Sequence, residues 1–184
     1  SIAFTTLGEG PPLVYISLAY SHLQLEWQIP RIRAWYERLA QRRTLIRYDR
    51  RGTGLSQREI PALSPESTGL DLEAVVDRLG LDRFALLGPW HGGPTAISYA
   101  ARNPERVSHL ILWCAYSRAA DVAAATQIQA TRALIDKDWE TYAETAAHVV
   151  FGWSAGDEAR AFATLIREST TPELAQRGIR ALSE

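Results

Sequence analysis

The segment richest in chemical meaning is Phe84-Ala85-Leu86-Leu87-Gly88-Pro89-Trp90-His91-Gly92-Gly93-Pro94. An apolar strand runs here into a glycine-rich turn and on into a helix. Gly88 and Gly92 stand two positions either side of Trp90, which is the spacing of a nucleophile elbow. In that device the glycines permit a tight turn that pushes the central side chain into a cleft. Attack on a carbonyl carbon needs a hydroxyl, thiolate or carboxylate activated by a neighbouring base, and an indole supplies none of these. Moving the frame by one or two positions offers only His91 or Gly92 and leaves that conclusion intact. Acyl transfer through a serine at this turn is therefore not expected.

Cys114 is the sole cysteine and a weak candidate for a replacement nucleophile. It follows the apolar run 107–113, at the carboxyl edge where open α/β sheets place their sites. Against that role, a single cysteine is more often a small buried apolar residue, and no histidine is evidently paired with it. A lone cysteine excludes an internal disulfide, and His22, His91, His109 and His148 are scattered without zinc-ligand spacing. Neither a metal nor another cofactor is expected. His109 reads as a partly buried histidine in a strand and His148 as a helix residue, so neither is a convincing base.

The elements that must position these residues follow from hydrophobic periodicity. Residues 2–7, 13–18, 44–48, 84–87 and 107–113 read as strands. Apolar stripes at helical spacing predict helices over 29–41, 67–79 and 94–102, with Gly80 as a C-terminal cap and Asn103-Pro104 as a stop. Alternating short apolar strands and amphipathic helices imply an α/β fold, a mostly parallel sheet covered on both faces. From residue 119 the pattern changes to helices alone, near 119–137, 139–150 and 158–168, with no further strand. Residues 1–118 are read as the core and 119–184 as a helical cap region.

Two further signatures flank the elbow. Asp49-Arg50-Arg51-Gly52-Thr53-Gly54-Leu55-Ser56 follows the strand 44–48, and Ala100-Ala101-Arg102-Asn103-Pro104-Glu105-Arg106-Val107 joins the elbow helix to the next strand. With the elbow, these three ordered segments resemble the α/β-hydrolase superfamily, whose usual form of the first is D-x-R-G-x-G-x-S. The resemblance implies that 13–18 is the strand before the oxyanion loop and that 119–184 is the cap. It also implies that the final strands, which normally bear the catalytic histidine and in most members the acid, are absent, so the fold is incomplete at its C-terminus. Asp121 falls near the position some members use for the acid, and Asp49 and Arg51 carry over only as loop-holding residues. The loop Ala19-Tyr20-Ser21-His22 should face the cleft, giving an expected ligand pocket of Leu18, Tyr20, His22, Trp90, His91 and Tyr116. Within it Trp90 either plugs a dead pocket or forms the floor of a ligand site, and His22 either donates to a ligand or serves the local structure.

Composition narrows the partners. The 184 residues, 46% of them hydrophobic, suffice for one compact domain, and Lys+Arg 20 against Asp+Glu 21 gives no overall pull toward nucleic acid or an anionic membrane. No signal peptide or membrane-spanning run is evident, so a soluble cytoplasmic protein is the default expectation. The first residue is Ser1 rather than Met, which reads as processing or as a fragment of a longer chain. The dense arginines between Arg31 and Arg51 read as a solvated face or a surface for an acidic partner, and Trp27, Trp35, Trp139, Tyr142 and Trp153 as packing that would also suit an apolar ligand. The leading expectation is a non-catalytic binding or regulatory domain for a small apolar or ester-like ligand, either homodimeric or fused to a regulatory module. The alternative is a hydrolase of small esters whose apparatus is unconventional or completed further along the chain.

Overall fold

The computed structural model describes residues 1–60, 64–118 and 126–183. Strands β1 (Phe4–Leu7), β2 (Pro12–Tyr15), β3 (Thr44–Tyr48), β4 (Phe84–Pro89) and β5 (Val107–Trp113) form one sheet in the order β1-β3-β2-β4-β5. All pairings are parallel except that of β1 with β3. The helices are α1 (Leu23–Gln28), α2 (Pro30–Leu39), α3 (Pro65–Arg78), α4 (Gly93–Arg102), α5 (Thr126–Arg132), α6 (Trp139–Phe151), α7 (Gly156–Ser169) and α8 (Pro172–Ser183). This is the α/β class, a mostly parallel sheet flanked by helices.

The strand alternation explains the layers. Leu13, Tyr15, Leu45, Ala85 and Leu87 point to one face and pack with Tyr36 and Ala40 from the α2 segment. Their neighbours Val14, Ile46, Phe84 and Leu86 point to the other face and pack with Leu72, Val75 and Val76 of α3 and Ala96 and Tyr99 of α4. Period-two burial on both faces is what a sheet covered on either side requires. Local capping sets the helix starts: Ser64 and Ser67 cap α3 reciprocally, and Asp138 accepts the Thr141 N–H at the start of α6 (3.0 Å). A third cluster joins Ile29 to Ile135, Tyr142, Phe162, Leu165 and Ile166, so the C-terminal helices close on one another and on the α1–α2 corner. No helix among the described residues is long and apolar enough to cross a membrane.

Several sequence expectations need correction. β2 ends at Tyr15, leaving Leu18 in the following loop. That loop then forms α1, and residues 172–183 form α8, neither of which periodicity predicts. The apolar run of β5 was expected to be buried on both faces, yet Leu110 is 39% and Leu112 45% exposed, because β5 is the sheet's edge and its apolar faces are only partly covered. His109 shares this exposure, and its Nδ1 lies 3.2 Å from the hydroxyl of the adjacent Ser108. The arginine-dense stretch is not uniformly solvated either. Arg47 is buried, pairing with Glu26 Oε2 at 2.9 Å, and its guanidinium lies 3.9 Å from the Tyr36 ring centre.

Candidate functional site at the elbow

β4 passes through a short 3₁₀ turn, Trp90–Gly92, directly into α4. Trp90 has φ 42°, a left-handed conformation that is rare and strained for a bulky residue and costs about 1–3 kcal/mol. The flanking glycines are there for space. A Cβ on Gly88 would lie 2.5 Å from Ala96 Cβ, and one on Gly92 would lie 3.0 Å from Ile16 Cγ2. The helix can seat against the strands only because those two positions lack side chains. The turn thus has the tight geometry of a nucleophile elbow with an indole at its apex.

Trp90 lines two adjoining cavities. The larger, about 530 Å³, lies between α2, the end of the sheet and the C-terminal helices, with Leu18, Trp35, Trp113, Phe151 and Phe162 among its walls. The smaller, about 280 Å³, is walled by Leu18, Tyr20, His91, Arg132, Tyr142 and Phe162 among others. Three tryptophans stand in a row: Trp35 stacks on Trp113 at 5.1 Å, and Trp113 on Trp90 at 5.8 Å. Tyr20, Trp139 and Tyr142 form a second aromatic group, with Trp139 and Tyr142 stacked at 5.2 Å. The volumes and apolar walls are those of a small-molecule site.

Glu26, Arg31 and Arg38 line the larger cavity, and a second set of polar groups lies on the side of the smaller one. His91 Nδ1 is 2.6 Å from the Tyr116 hydroxyl, and the Tyr20 and Tyr142 hydroxyls are 2.7 Å apart. Burial, aided by the positive charges of Arg50 and Arg132, pulls the His91 pKa down to about 4, so its imidazole is neutral near pH 7. Burial likewise raises Tyr20 and Tyr116, which stay protonated. Arg50 donates to the Ala19 carbonyl at 2.9 Å while its Nε is buried without a partner, and desolvation lowers its pKa.

Of the expected pocket residues, Leu18, Tyr20, Trp90 and His91 meet at one cavity, and Tyr116 joins them through its contact with His91. His22 does not. It N-caps α1, its Nδ1 accepting the Leu25 N–H at 3.4 Å, and it lines none of the cavities described. Cys114 is exposed rather than buried, with φ 50°, and also lines none of them. Asp121 lies outside the described residues. Asp49 accepts the N–H groups of Leu23 (3.2 Å) and Leu55 (2.9 Å), and Arg51 pairs with Asp71 (2.8 Å), contacts that hold loops together. His148 stacks on the exposed Trp153 at 4.6 Å, away from the elbow. Residues that sequence reasoning passed over are Arg132, Phe162 and Val150, whose helices carry no motif. Among the described residues no three His, Cys, Asp or Glu side chains converge as metal ligands would.

A strand, a strained elbow and a helix in this order, on a mostly parallel sheet, define the architecture of a hydrolase-type α/β domain. The chain belongs to the alpha/beta hydrolase fold family, whose model matches residues 25–177. It is similar to a soluble epoxide hydrolase of Corynebacterium sp., 29% identical over 111 residues that make up 59% of this chain and 36% of that protein. Across these curated relatives the matched stretch spans 18% to 40% of their length. Among solved structures, a hydrolase of Pseudomonas aeruginosa superposes with a TM-score of 0.79 at 20% identity, covering 100% of this chain and 68% of that one. An esterase of Exiguobacterium antarcticum gives 0.78 at 20% identity, covering 100% and 69%. At that identity the likeness establishes the fold.

Proposed function

We propose that this chain is an α/β-hydrolase-like domain that binds a small apolar or ester-like ligand between its sheet and its C-terminal helices without turning it over. The observation that carries this reading is Trp90: an indole held at φ 42° at the apex of the elbow, facing two apolar cavities. The strained turn is kept where a nucleophile would stand, but the group it presents can only pack and stack. Cavity space beside the ring supports a floor in preference to a plug. The names of its relatives, an epoxide hydrolase and an esterase, favour hydrolysis as the competing reading. Its version through Cys114 lacks support from an exposed thiol that lines no cavity described.

One experiment separates the two. The purified chain, its Cys114→Ala variant and a denatured control are assayed with p-nitrophenyl butyrate, and tryptophan emission is followed on titration with methyl octanoate. The expected result is saturable quenching, because Trp35, Trp90 and Trp113 line the cavity, with no turnover above the denatured control. Saturable turnover by the folded chain would overturn the binding reading.

A further inference from the structure

The two chambers differ in charge in a way the apolar reading does not use. The larger chamber's charged groups are engaged: Glu26 with the buried Arg47 and the Tyr36 hydroxyl, both at 2.9 Å, Arg31 with Glu158 at 2.7 Å and Arg38 with the Gln41 side chain at 3.0 Å. The smaller chamber has no Asp or Glu among its lining residues, yet Arg132 projects from α5 into its wall. Arg132 is half-buried there. A second guanidinium, Arg50, lies close beneath, near enough to Tyr20, Tyr116 and His91 to act on their charge states. One of its nitrogens donates to the Ala19 carbonyl, its Nε is buried without a partner among the described residues, and the neighbouring carboxylate Asp71 is engaged by Arg51, through Nε at 2.8 Å and the backbone N–H at 2.9 Å. A buried guanidinium with one N–H unsatisfied among the described residues, and a second arginine on a wall that carries no described carboxylate, are complementary to an anion.

The remaining polar groups are donors. If the Tyr116 hydroxyl donates to His91 Nδ1, His91 keeps an Nε2–H; if Nδ1–H donates, the Tyr116 O–H is left over. The Tyr20–Tyr142 pair likewise holds two hydroxyl protons for one mutual bond. A carboxylate, which only accepts and has about four lone-pair sites, matches such a set of donors and cations.

We infer that the ligand is a monoanionic carboxylic acid with an apolar body, its carboxylate beside Arg132, His91 and Tyr20 in the smaller chamber and its body along Trp90, Trp113 and Trp35 in the larger. This rests on the binding reading above and narrows it from apolar or ester-like compounds to free acids. The connection between the chambers is given by Leu18, Tyr20, Trp90, Val150 and Phe162, which line both.

The test uses a matched pair, sodium octanoate and methyl octanoate, titrated by tryptophan fluorescence at pH 7.5 into the whole chain and its Arg132→Gln and Arg132→Lys variants. Thermal scans of each variant check that it is folded. Octanoate is expected to bind at least about tenfold more tightly than the ester, which is about 1.4 kcal/mol. Arg132→Gln should abolish that preference and Arg132→Lys retain part of it. Equal affinity for acid and ester, or a preference that survives in folded Arg132→Gln, overturns the assignment of a carboxylate while the binding reading stands. Failure of both compounds to bind overturns the two together.

Discussion

Trp90 and His91 occupy adjacent positions on one turn, and burial acts on them in opposite senses. For the indole, contact with Trp113 and the cavity walls offsets a strained backbone. For the imidazole, the same surroundings, with Arg50 and Arg132 nearby, disfavour the charged form and set the pKa at about 4 instead of the usual 6.5. That difference links stability to pH. Between those two values the unfolded chain binds a proton at this site that the folded chain refuses, so stability falls as pH falls. The contribution is fully present above pH 6.5 and is lost on descending through about pH 4. From pH 6.5 to 5 the loss from this one group is about 2 kcal/mol. His91→Gln, which keeps a polar group but cannot protonate, should therefore lose less stability over that interval than the parent chain. Urea midpoints measured at both pH values check this. Parallel losses in the two proteins would mean that the imidazole already carries its proton when folded.

At the scale of elements, legibility followed the range of the cause. β3 and β5 are bounded by residues whose own apolarity and flanking turns mark them, and periodicity finds them to the residue. α1 escapes because it is six residues long, has a histidine at its N-cap, and owes its place to Glu26, whose partner Arg47 lies far along the chain. α8 starts at Pro172, a favourable first-turn residue, but Gly178 interrupts its stripe of Leu174, Ala175 and Ile179. The elbow was legible as spacing, and the pocket residues on its own strand and loop with it. Arg132 and Phe162 were not, since only tertiary packing brings α5 and α7 to the cleft. An apolar run also cannot announce whether its strand is central or at an edge. β5 has Leu110, Ile111, Leu112 and Trp113 partly exposed beside an edge that no described strand pairs, a surface that favours association of this chain. Ile111→Lys, at a site 44% exposed, should change stability by less than about 0.5 kcal/mol and reduce concentration-dependent association. Sedimentation velocity at matched concentrations tests this, and identical distributions for the two proteins would remove β5 as the cause.

At the scale of the whole molecule, the cleft exists because two packed layers are held apart at one end and joined at the other. The sheet core and the C-terminal helical cluster are separately compact. They are joined at the end of α7 and its C-cap: Gly54 N–H donates to the Ser169 carbonyl at 2.7 Å, Thr170 Oγ1 donates to the Gly52 carbonyl at 2.9 Å, and Arg58 donates to the Glu168 carbonyl at 2.6 Å. A further tie, Arg31 to Glu158 at 2.7 Å, is largely exposed and contributes little. Thr170 is buried, so Thr170→Val keeps the shape, removes the hydroxyl donor and leaves the Gly52 carbonyl short of a partner at a cost of about 1–3 kcal/mol. For a chain of this size each kcal/mol lowers the melting temperature by about 2–4 °C. If that segment couples the layers, the variant should melt several degrees lower in a single transition seen alike by tryptophan emission and far-ultraviolet circular dichroism. An unchanged melting temperature would show that the layers are held by apolar packing instead. A split into two transitions would show that they fold independently once the tie is weakened.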